Sequence, residues 1–79
     1  MSTVRVSVVS SGFGWVVETD GMFQPIAFLS GGRAEAYARG VSSASARAGH
    51  HAYLTVMDAC GHVIGKRFYP AESTAETAA

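Results

Sequence analysis

The chain has 79 residues, enough for one small domain, and 48% of them are hydrophobic, enough for a globular core. Its six basic and six acidic residues give a formal net charge of zero, so the composition lacks the strong positive charge of a dedicated nucleic-acid binder. With a single cysteine we expect neither an intrachain disulfide nor a cysteine-based zinc site, and no apolar run approaches the roughly 20 residues that span a bilayer.

Two strands are predicted near the N-terminus. Thr3–Val9 alternates valine with polar residues, which is the period of a strand with one buried face. Gly14–Thr19 is rich in residues that favour strands, namely Trp15, Val16 and Val17. The serines and glycine between the two segments indicate a break in the first strand.

A third strand is predicted after the turn signal Asp20-Gly21, a dipeptide whose residues both tolerate positive φ. If these two residues alone form the turn, Trp15 lies opposite Ile26. The third strand is then Met22–Leu29. Pro25 has no N–H to donate to a neighbouring strand, so we expect this strand at an edge of the sheet.

One helix is predicted, over about Gly31 to Ala48. Alanines and larger apolar residues recur there at spacings of three and four, which defines one buried stripe. Ser30 is the expected N-cap, and Gly49 is the expected C-terminal stop. Glu35 precedes Arg39 by four residues, a spacing that favours an ion pair on the helix surface.

The C-terminal part predicts a second hairpin and a tail. Ala52–Asp58 and Val63–Tyr69 read as strands, joined by a turn in which Gly61 takes the left-handed position. Pro70 ends the last strand. Residues 71–79 consist of Ala, Glu, Ser and Thr, a composition that predicts disorder.

The predicted architecture is α+β, with the element order β-β-β-α-β-β. We expect an antiparallel sheet of four or five strands with one helix packed on one face. Residues 1–70 would form this single domain, and residues 71–79 would form the disordered tail.

The sheet face away from the helix is the predicted interaction site, because one helix covers only one face. Pairing Asp58 with His62 across the last turn places four apolar side chains under the helix: Leu54, Val56, Ile64 and Phe68. The opposite face then carries residue types that are enriched at interfaces. We predict that a partner, or a second copy, binds there through Tyr53, Met57, Arg67 and Tyr69.

Two alternatives to that interface stay open. The tyrosines could simply pack on one another, with no partner involved. A register shift of one residue in the last turn would also exchange the two faces, because side chains alternate along a strand.

Few residues suggest chemistry. His51 and His62 are expected about 20 Å apart, at opposite ends of the last hairpin, which is too far for one metal ion. Cys60 beside Asp58 and His62 is faintly similar to a cysteine–histidine nucleophile, but a tight turn offers no oxyanion donors and no pocket. We therefore expect no metal, no cofactor and no enzymatic activity.

Four sequence features occur in a characteristic order: Gly14-Trp15-x-Val17, Asp20-Gly21, Ser30 before an alanine-rich helix, and Asp58…Gly61-x-Val63. This series resembles a family of short bacterial proteins of unknown function with a G-W-x-V strand, a turn, a strand ending in T-K-x-E-A, a helix and a D-G-x-V hairpin. The resemblance covers about Val4 to Tyr69. It departs at the helix start, where Ser30-Gly31-Gly32-Arg33-Ala34 replaces threonine, lysine and glutamate. The resemblance implies a sheet-plus-helix fold and no particular activity.

In size and architecture, though in no motif, the chain is also similar to phage-encoded anti-CRISPR inhibitors. These are small single domains without catalytic residues. The likeness implies that the chain occupies a surface of a bacterial CRISPR effector complex and blocks the access of nucleic acid.

The favoured hypothesis is therefore a non-catalytic protein-binding module, one form of which would be a mobile-element inhibitor of the anti-CRISPR type. One alternative is a weak binder of nucleic acid or of an acidic surface that uses Arg33, Arg39, Arg47 and Lys66, together with Arg67. Another is a homodimeric structural protein with no further partner. The first five residues lack the basic and apolar regions of a signal peptide, so we expect a cytoplasmic protein with no membrane contact.

Overall fold

Five strands and one helix account for most of residues 3–21 and 24–72, the residues that the computed structural model describes. The elements are β1 Thr3–Ser10, β2 Trp15–Thr19, β3 Ile26–Phe28, α1 Gly31–Arg47, β4 His51–Met57 and β5 Val63–Tyr69. The predicted α+β class and the predicted element order are confirmed. The predicted tail falls largely outside the described residues, which end at residue 72. Within those residues, no helix is long and apolar enough to cross a bilayer.

The strands form one mixed sheet in the order β3-β2-β1-β4-β5. The prediction of a purely antiparallel sheet is wrong, because β1 pairs parallel with β4. β1 and β3 run in the same direction, since both neighbour β2 in antiparallel fashion. The helix then returns the chain to the end of the sheet where β3 began, so β4 also runs in that direction.

The third strand lies at a sheet edge, as predicted, but it is shorter than predicted. It comprises only Ile26–Phe28, and Pro25 precedes it. Met22 and Phe23, which the prediction included, lie outside the described residues. Trp15 pairs with Phe28 and not with Ile26. The register of β3 against β2 is therefore shifted by two residues from the one that a two-residue turn would give.

The helix begins and ends close to its predicted limits. Ser30 has extended backbone angles, and its hydroxyl accepts a hydrogen bond from the Arg33 N–H at 3.3 Å, which confirms the N-cap. Gly49 follows the helix with a φ of +95°, the left-handed conformation that stops a helix. The expected pair of Arg39 and Glu35 is also present, at 3.3 Å.

The core lies between the helix and one sheet face, which we call the helix face. Six buried residues form it: Val6, Val8, Val17, Ala34, Ala38 and Leu54. Because the helix contributes alanines, its backbone lies close to the sheet. At the helix start the contact is tight, since a Cβ on Gly31 would lie 2.9 Å from the Trp15 indole.

The last hairpin contains a β-bulge that the sequence analysis did not predict. The expected closure is present, because the Asp58 N–H donates to the His62 carbonyl at 2.9 Å. Met57 pairs with Val63, but Val56 pairs with Gly65, so Ile64 is an extra residue in β5.

The bulge exchanges the faces of β5 relative to β4. Phe68 pairs with Tyr53, and Arg67 pairs with Leu54. The predictions that Phe68 packs under the helix and that Arg67 and Tyr69 lie on the opposite face are therefore wrong. A shift of one residue has this effect because side chains alternate between the two faces of a strand.

Candidate interaction surface

The side of the sheet away from the helix, which we call the open face, follows from the alternation in β1. Val4, Val6 and Val8 point to the helix, so the residues between them point away. Strand pairing adds the matching positions of β4 and β5 to the same side. No helix or strand of residues 3–21 and 24–72 covers this face. Its members on the three strands are Thr3, Arg5, Ser7, Val9, His51, Tyr53, Thr55, Met57, Val63, Lys66 and Phe68.

Three rings form a row on the open face, which we call the aromatic row. The Tyr53 and Phe68 ring centroids lie 4.7 Å apart, and those of His51 and Phe68 lie 5.4 Å apart. Such pairs stabilise a sheet by about 0.5–1.5 kcal/mol beyond their buried area. Tyr53 nevertheless keeps 51% of its surface exposed and Phe68 keeps 46%, so the row presents a broad apolar area to solvent.

A wide groove of about 840 Å³ borders the aromatic row. Tyr53 and Val63 supply its apolar side, and Arg5 and Lys66 supply positive charge. Asp20 also lines the groove, but one of its carboxylate oxygens accepts a hydrogen bond from the Arg5 backbone N–H at 3.1 Å. The groove therefore combines apolar contact with two basic side chains and one carboxylate.

The four residues predicted to bind a partner do not lie together. Tyr53 and Met57 are on the open face, whereas Arg67 and Tyr69 are on the helix face of β5. There the Arg67 guanidinium lies 5.1 Å from the centre of the Tyr69 ring, a cation–π contact. Whether any of the four binds a partner stays a prediction.

Phe68 is the residue of the open face that the sequence analysis assigned to the wrong side. A signal for the correct assignment was present, because an isolated glycine inside a strand pattern suggests a bulge. Gly65 is that glycine, and it directly follows the extra residue Ile64.

A second groove, of about 270 Å³, lies on the helix face between α1 and β5. Leu54, Val56 and Ile64 form its apolar part. Arg67 lines it together with the Glu35–Arg39 ion pair, and Lys66, an open-face residue of the edge strand, lines both grooves. Of the five basic residues proposed to contact nucleic acid or an acidic surface, this groove thus brings three together. Arg33 and Arg47 lie elsewhere on the helix, about 21 Å from each other along its axis.

An uncharged apolar patch lies where the β1–β2 turn meets the end of β3. Phe13 is 96% exposed and Leu29 is 93% exposed. Trp15, Ala27 and Phe28 border them in a groove of about 260 Å³, and none of the described residues that line it is charged. The patch offers apolar contact alone, and it gives no indication of the chemistry of a partner.

The turn between β4 and β5 gathers Asp58, Cys60 and His62, which we call the turn cluster. One carboxylate oxygen of Asp58, Oδ1, accepts hydrogen bonds from the backbone N–H groups of Cys60 and His62, both at 2.9 Å. The other, Oδ2, lies 3.3 Å from Nδ1 of His62. Hydrogen bonding, above all by the His62 N–H, lowers the pKa of Asp58 from its usual value.

The expectation that no metal is bound rests on the wide separation of His51 and His62 and on the single cysteine, and it does not weigh the three residues of the turn cluster together as ligands. His51 begins β4 and His62 directly precedes β5, so these two histidines lie at opposite ends of the hairpin. In the turn cluster, by contrast, one ligand-type atom of each residue lies within 4.8 Å of the others. Cys60 and His62 are both exposed.

Comparisons with protein-family models, with curated proteins and with solved structures find no significant match to this chain. The resemblances to a family of short bacterial proteins and to anti-CRISPR inhibitors therefore stay predictions.

Proposed function

We propose that this chain is a non-catalytic protein-binding module that holds an extended, acidic segment of its partner along β5. One observation carries the proposal. β5 is a seven-residue edge strand whose only charged residues are Lys66 and Arg67, and it is flanked on the open face by the exposed aromatic row.

An edge strand offers unpaired backbone groups to a further strand. β5 pairs with β4 on one side and with no strand of residues 3–21 and 24–72 on the other. Beyond the bulge, Gly65–Tyr69 pairs regularly with β4. Backbone hydrogen bonds to this stretch would supply affinity, as in other proteins that bind a peptide by adding a strand.

The two grooves would recognise the side chains of an added strand. Alternate side chains of that strand would point to opposite faces of the sheet. One set would lie against Tyr53 and Phe68 on the open face. The other set would lie against Leu54 and Ile64 in the groove beside α1.

Charge favours an acidic segment over a second copy of this chain. Lys66 is on the open face and Arg67 is on the helix face, so neighbouring acidic residues of an added strand would meet one cation each. Antiparallel self-pairing centred on residues 63–69 would set Lys66 opposite Lys66. Pairing centred on residues 65–69 would set Arg67 opposite Arg67. Like charges directly opposite destabilise a strand pair.

The proposal can be tested by selecting binders from a displayed library of random peptides against the immobilised chain. We expect the selected peptides to be extended and to carry adjacent or near-adjacent Asp or Glu among apolar residues. Binding of a selected peptide should fall at least tenfold in the double variant K66E/R67E. The matched control is R33E/R47E, which makes the same change in net charge on α1 and should bind normally.

Hydrogen exchange distinguishes strand addition from binding to the open face alone. A peptide that pairs with β5 should slow the exchange of backbone amides in Gly65–Tyr69. Selected peptides without acidic residues, or equal binding by K66E/R67E, would contradict the proposal. Self-association that the charge reversal leaves intact would favour the homodimer, and retardation of DNA or RNA that falls steeply with salt would favour a nucleic-acid binder.

We place this role in the cytoplasm, in line with the free, exposed Cys60, because reducing compartments preserve such thiols. An inhibitor of the anti-CRISPR type would be one form of the module. The selected peptide sequence would test this directly, since an acidic segment of the same pattern should then occur on a nucleic-acid-binding complex of the host.

A further inference from the structure

We infer that the turn cluster is a binding site for one divalent transition-metal ion, foremost Zn²⁺. Its protein ligands would be Oδ2 of Asp58, Sγ of Cys60 and a ring nitrogen of His62. The inference is independent of the proposed function, since it concerns the turn and not the edge of β5.

The spacing of the donor atoms suits a tetrahedral ion. The atoms offered by the three residues all lie within 4.8 Å of one another. Zn–N and Zn–O bonds of about 2.0–2.1 Å at tetrahedral angles place the two ligand atoms about 3.3–3.4 Å apart. Oδ2 of Asp58 and Nδ1 of His62 are separated by 3.3 Å, so this pair already has the required distance.

The two oxygens of the Asp58 carboxylate have different roles in the turn. Oδ1 accepts the backbone N–H groups of Cys60 and His62, which holds both residues next to the carboxylate. The Gly61 N–H donates to the Asp58 carbonyl at 3.1 Å, and Gly61 has a φ of +86°, which closes the turn. Oδ2 takes part in neither backbone contact, so it can coordinate an ion while Oδ1 keeps the turn folded.

The chemistry of the donors selects the class of metal. A thiolate, an imidazole and a carboxylate together suit Zn²⁺ and its neighbours in the first transition row. Mg²⁺ and Ca²⁺ prefer oxygen ligands throughout, so sulfur and nitrogen disfavour them. Three protein ligands at an exposed turn leave the fourth position to water.

The experiment is a titration of the full chain with Zn²⁺ in a thiol-free reductant, followed by calorimetry, and a parallel titration with Co²⁺ followed by optical absorption. We expect one ion per chain. With Co²⁺ we expect the sulfur-to-metal charge-transfer band of a thiolate ligand and the visible bands of a tetrahedral ion. Mg²⁺ should not compete.

Three variants assign the ligands. D58N keeps one side-chain oxygen, which can accept the two backbone hydrogen bonds, and replaces the second oxygen by an NH2 group. It therefore tests metal coordination while the turn stays intact. C60S and H62Q alter exposed side chains, and circular dichroism checks that each variant stays folded. We expect each to raise the Kd for Zn²⁺ at least about tenfold, and C60S should abolish the charge-transfer band. H50Q is the matched control at the far end of the hairpin and should bind normally.

Three results would overturn the inference. The first is the absence of Zn²⁺ binding to the reduced chain. The second is binding that D58N, C60S and H62Q leave unchanged. The third is a stoichiometry of one ion to two chains, which would show that the ion bridges two molecules and is not held by a single turn.

Discussion

The two hairpins on either side of the central strand β1 differ in how far their strand register departs from that of a two-residue or simple closed turn. The difference decides which side chains reach the core. In the β2–β3 hairpin the departure is two residues, so Trp15 still faces the helix and merely has Phe28 as its neighbour. In the β4–β5 hairpin the departure is one residue, introduced by Ile64, and every later side chain of β5 changes face. An even shift preserves the two faces of a strand, and an odd shift exchanges them.

The exchange of faces in β5 also changes which side chains are available to bind a partner. In β5 it brings Phe68 to the open face beside Tyr53, and it turns Arg67 toward the groove next to the helix. Lys66 and Arg67 consequently lie on opposite sides of the sheet edge. The bulge thus gives the edge strand one cation for each face, which is the basis of the proposed recognition of an acidic segment.

The largest expected effect on folding comes from deleting one residue of the regular strand β2, and deletion of the extra residue of the bulged strand β5 is the comparison. Deletion of Val16 from β2 has to move either Val17 or Trp15 out of the core, so we expect loss of the cooperative unfolding transition. Deletion of Ile64 removes only the extra residue and leaves Val63 and Gly65 opposite their present partners. We expect this variant to stay folded, as judged by circular dichroism and thermal melting. Unfolding of the Ile64 deletion would mean that the bulge itself is needed.

A second pair of variants compares two residues that the sequence pattern assigned to the same buried face. Leu54 is 5% exposed and Ile64 is 60% exposed. Leu54→Ala should lower the free energy of unfolding by about 2–5 kcal/mol, the usual range for a core leucine. Ile64→Ala should change it by no more than about 0.5 kcal/mol. Chemical denaturation measures both, and equal losses would place Ile64 in the core after all.

A smaller effect on stability is expected at Gly14, whose backbone lies close to that of Phe28 in the β2–β3 hairpin. A Cβ on Gly14 would lie 2.5 Å from the Phe28 carbonyl oxygen, a backbone atom that cannot turn aside. We expect Gly14→Ala to destabilise the fold by about 1–3 kcal/mol, as overpacking does. Gly40→Ala is the control, because a Cβ there meets nothing within 4 Å and alanine favours a helix by about 1 kcal/mol. Denaturation of the two variants should therefore shift in opposite directions.

Local patterns in the sequence predicted the elements well. The Ser30 cap, the Gly49 stop and the ion pair of Glu35 with Arg39 depend on residues within four positions of each other, and all three are present. The alternation of valine in β1 predicted its buried face correctly. These features follow from short-range chemistry that a single sequence displays.

Strand partners and register were beyond the same reasoning. The parallel pairing of β1 with β4 joins segments that two strands and a helix separate, and nothing in either segment specifies its neighbour. The bulge at Ile64 was detectable in principle from Gly65, yet hydrophobicity alone favours the wrong register, because that register buries Ile64 and Phe68. The prediction therefore placed Tyr53 and Met57 of β4 on the face that they occupy, and Arg67 and Tyr69 of β5 on the wrong face.

The position of β4 beside β1 also determines when the sheet can be completed during synthesis. The first three strands emerge from the ribosome before the helix and β4, so one edge of β1 stays without its partner in the meantime. Pairing between segments so distant in the chain forms late, because the entropy of closing the intervening loop opposes it. Truncated products that end before β4 would expose both that edge and the apolar face of Val6 and Val8, a combination that promotes aggregation. An unfinished chain is therefore expected to aggregate more readily than the complete sheet.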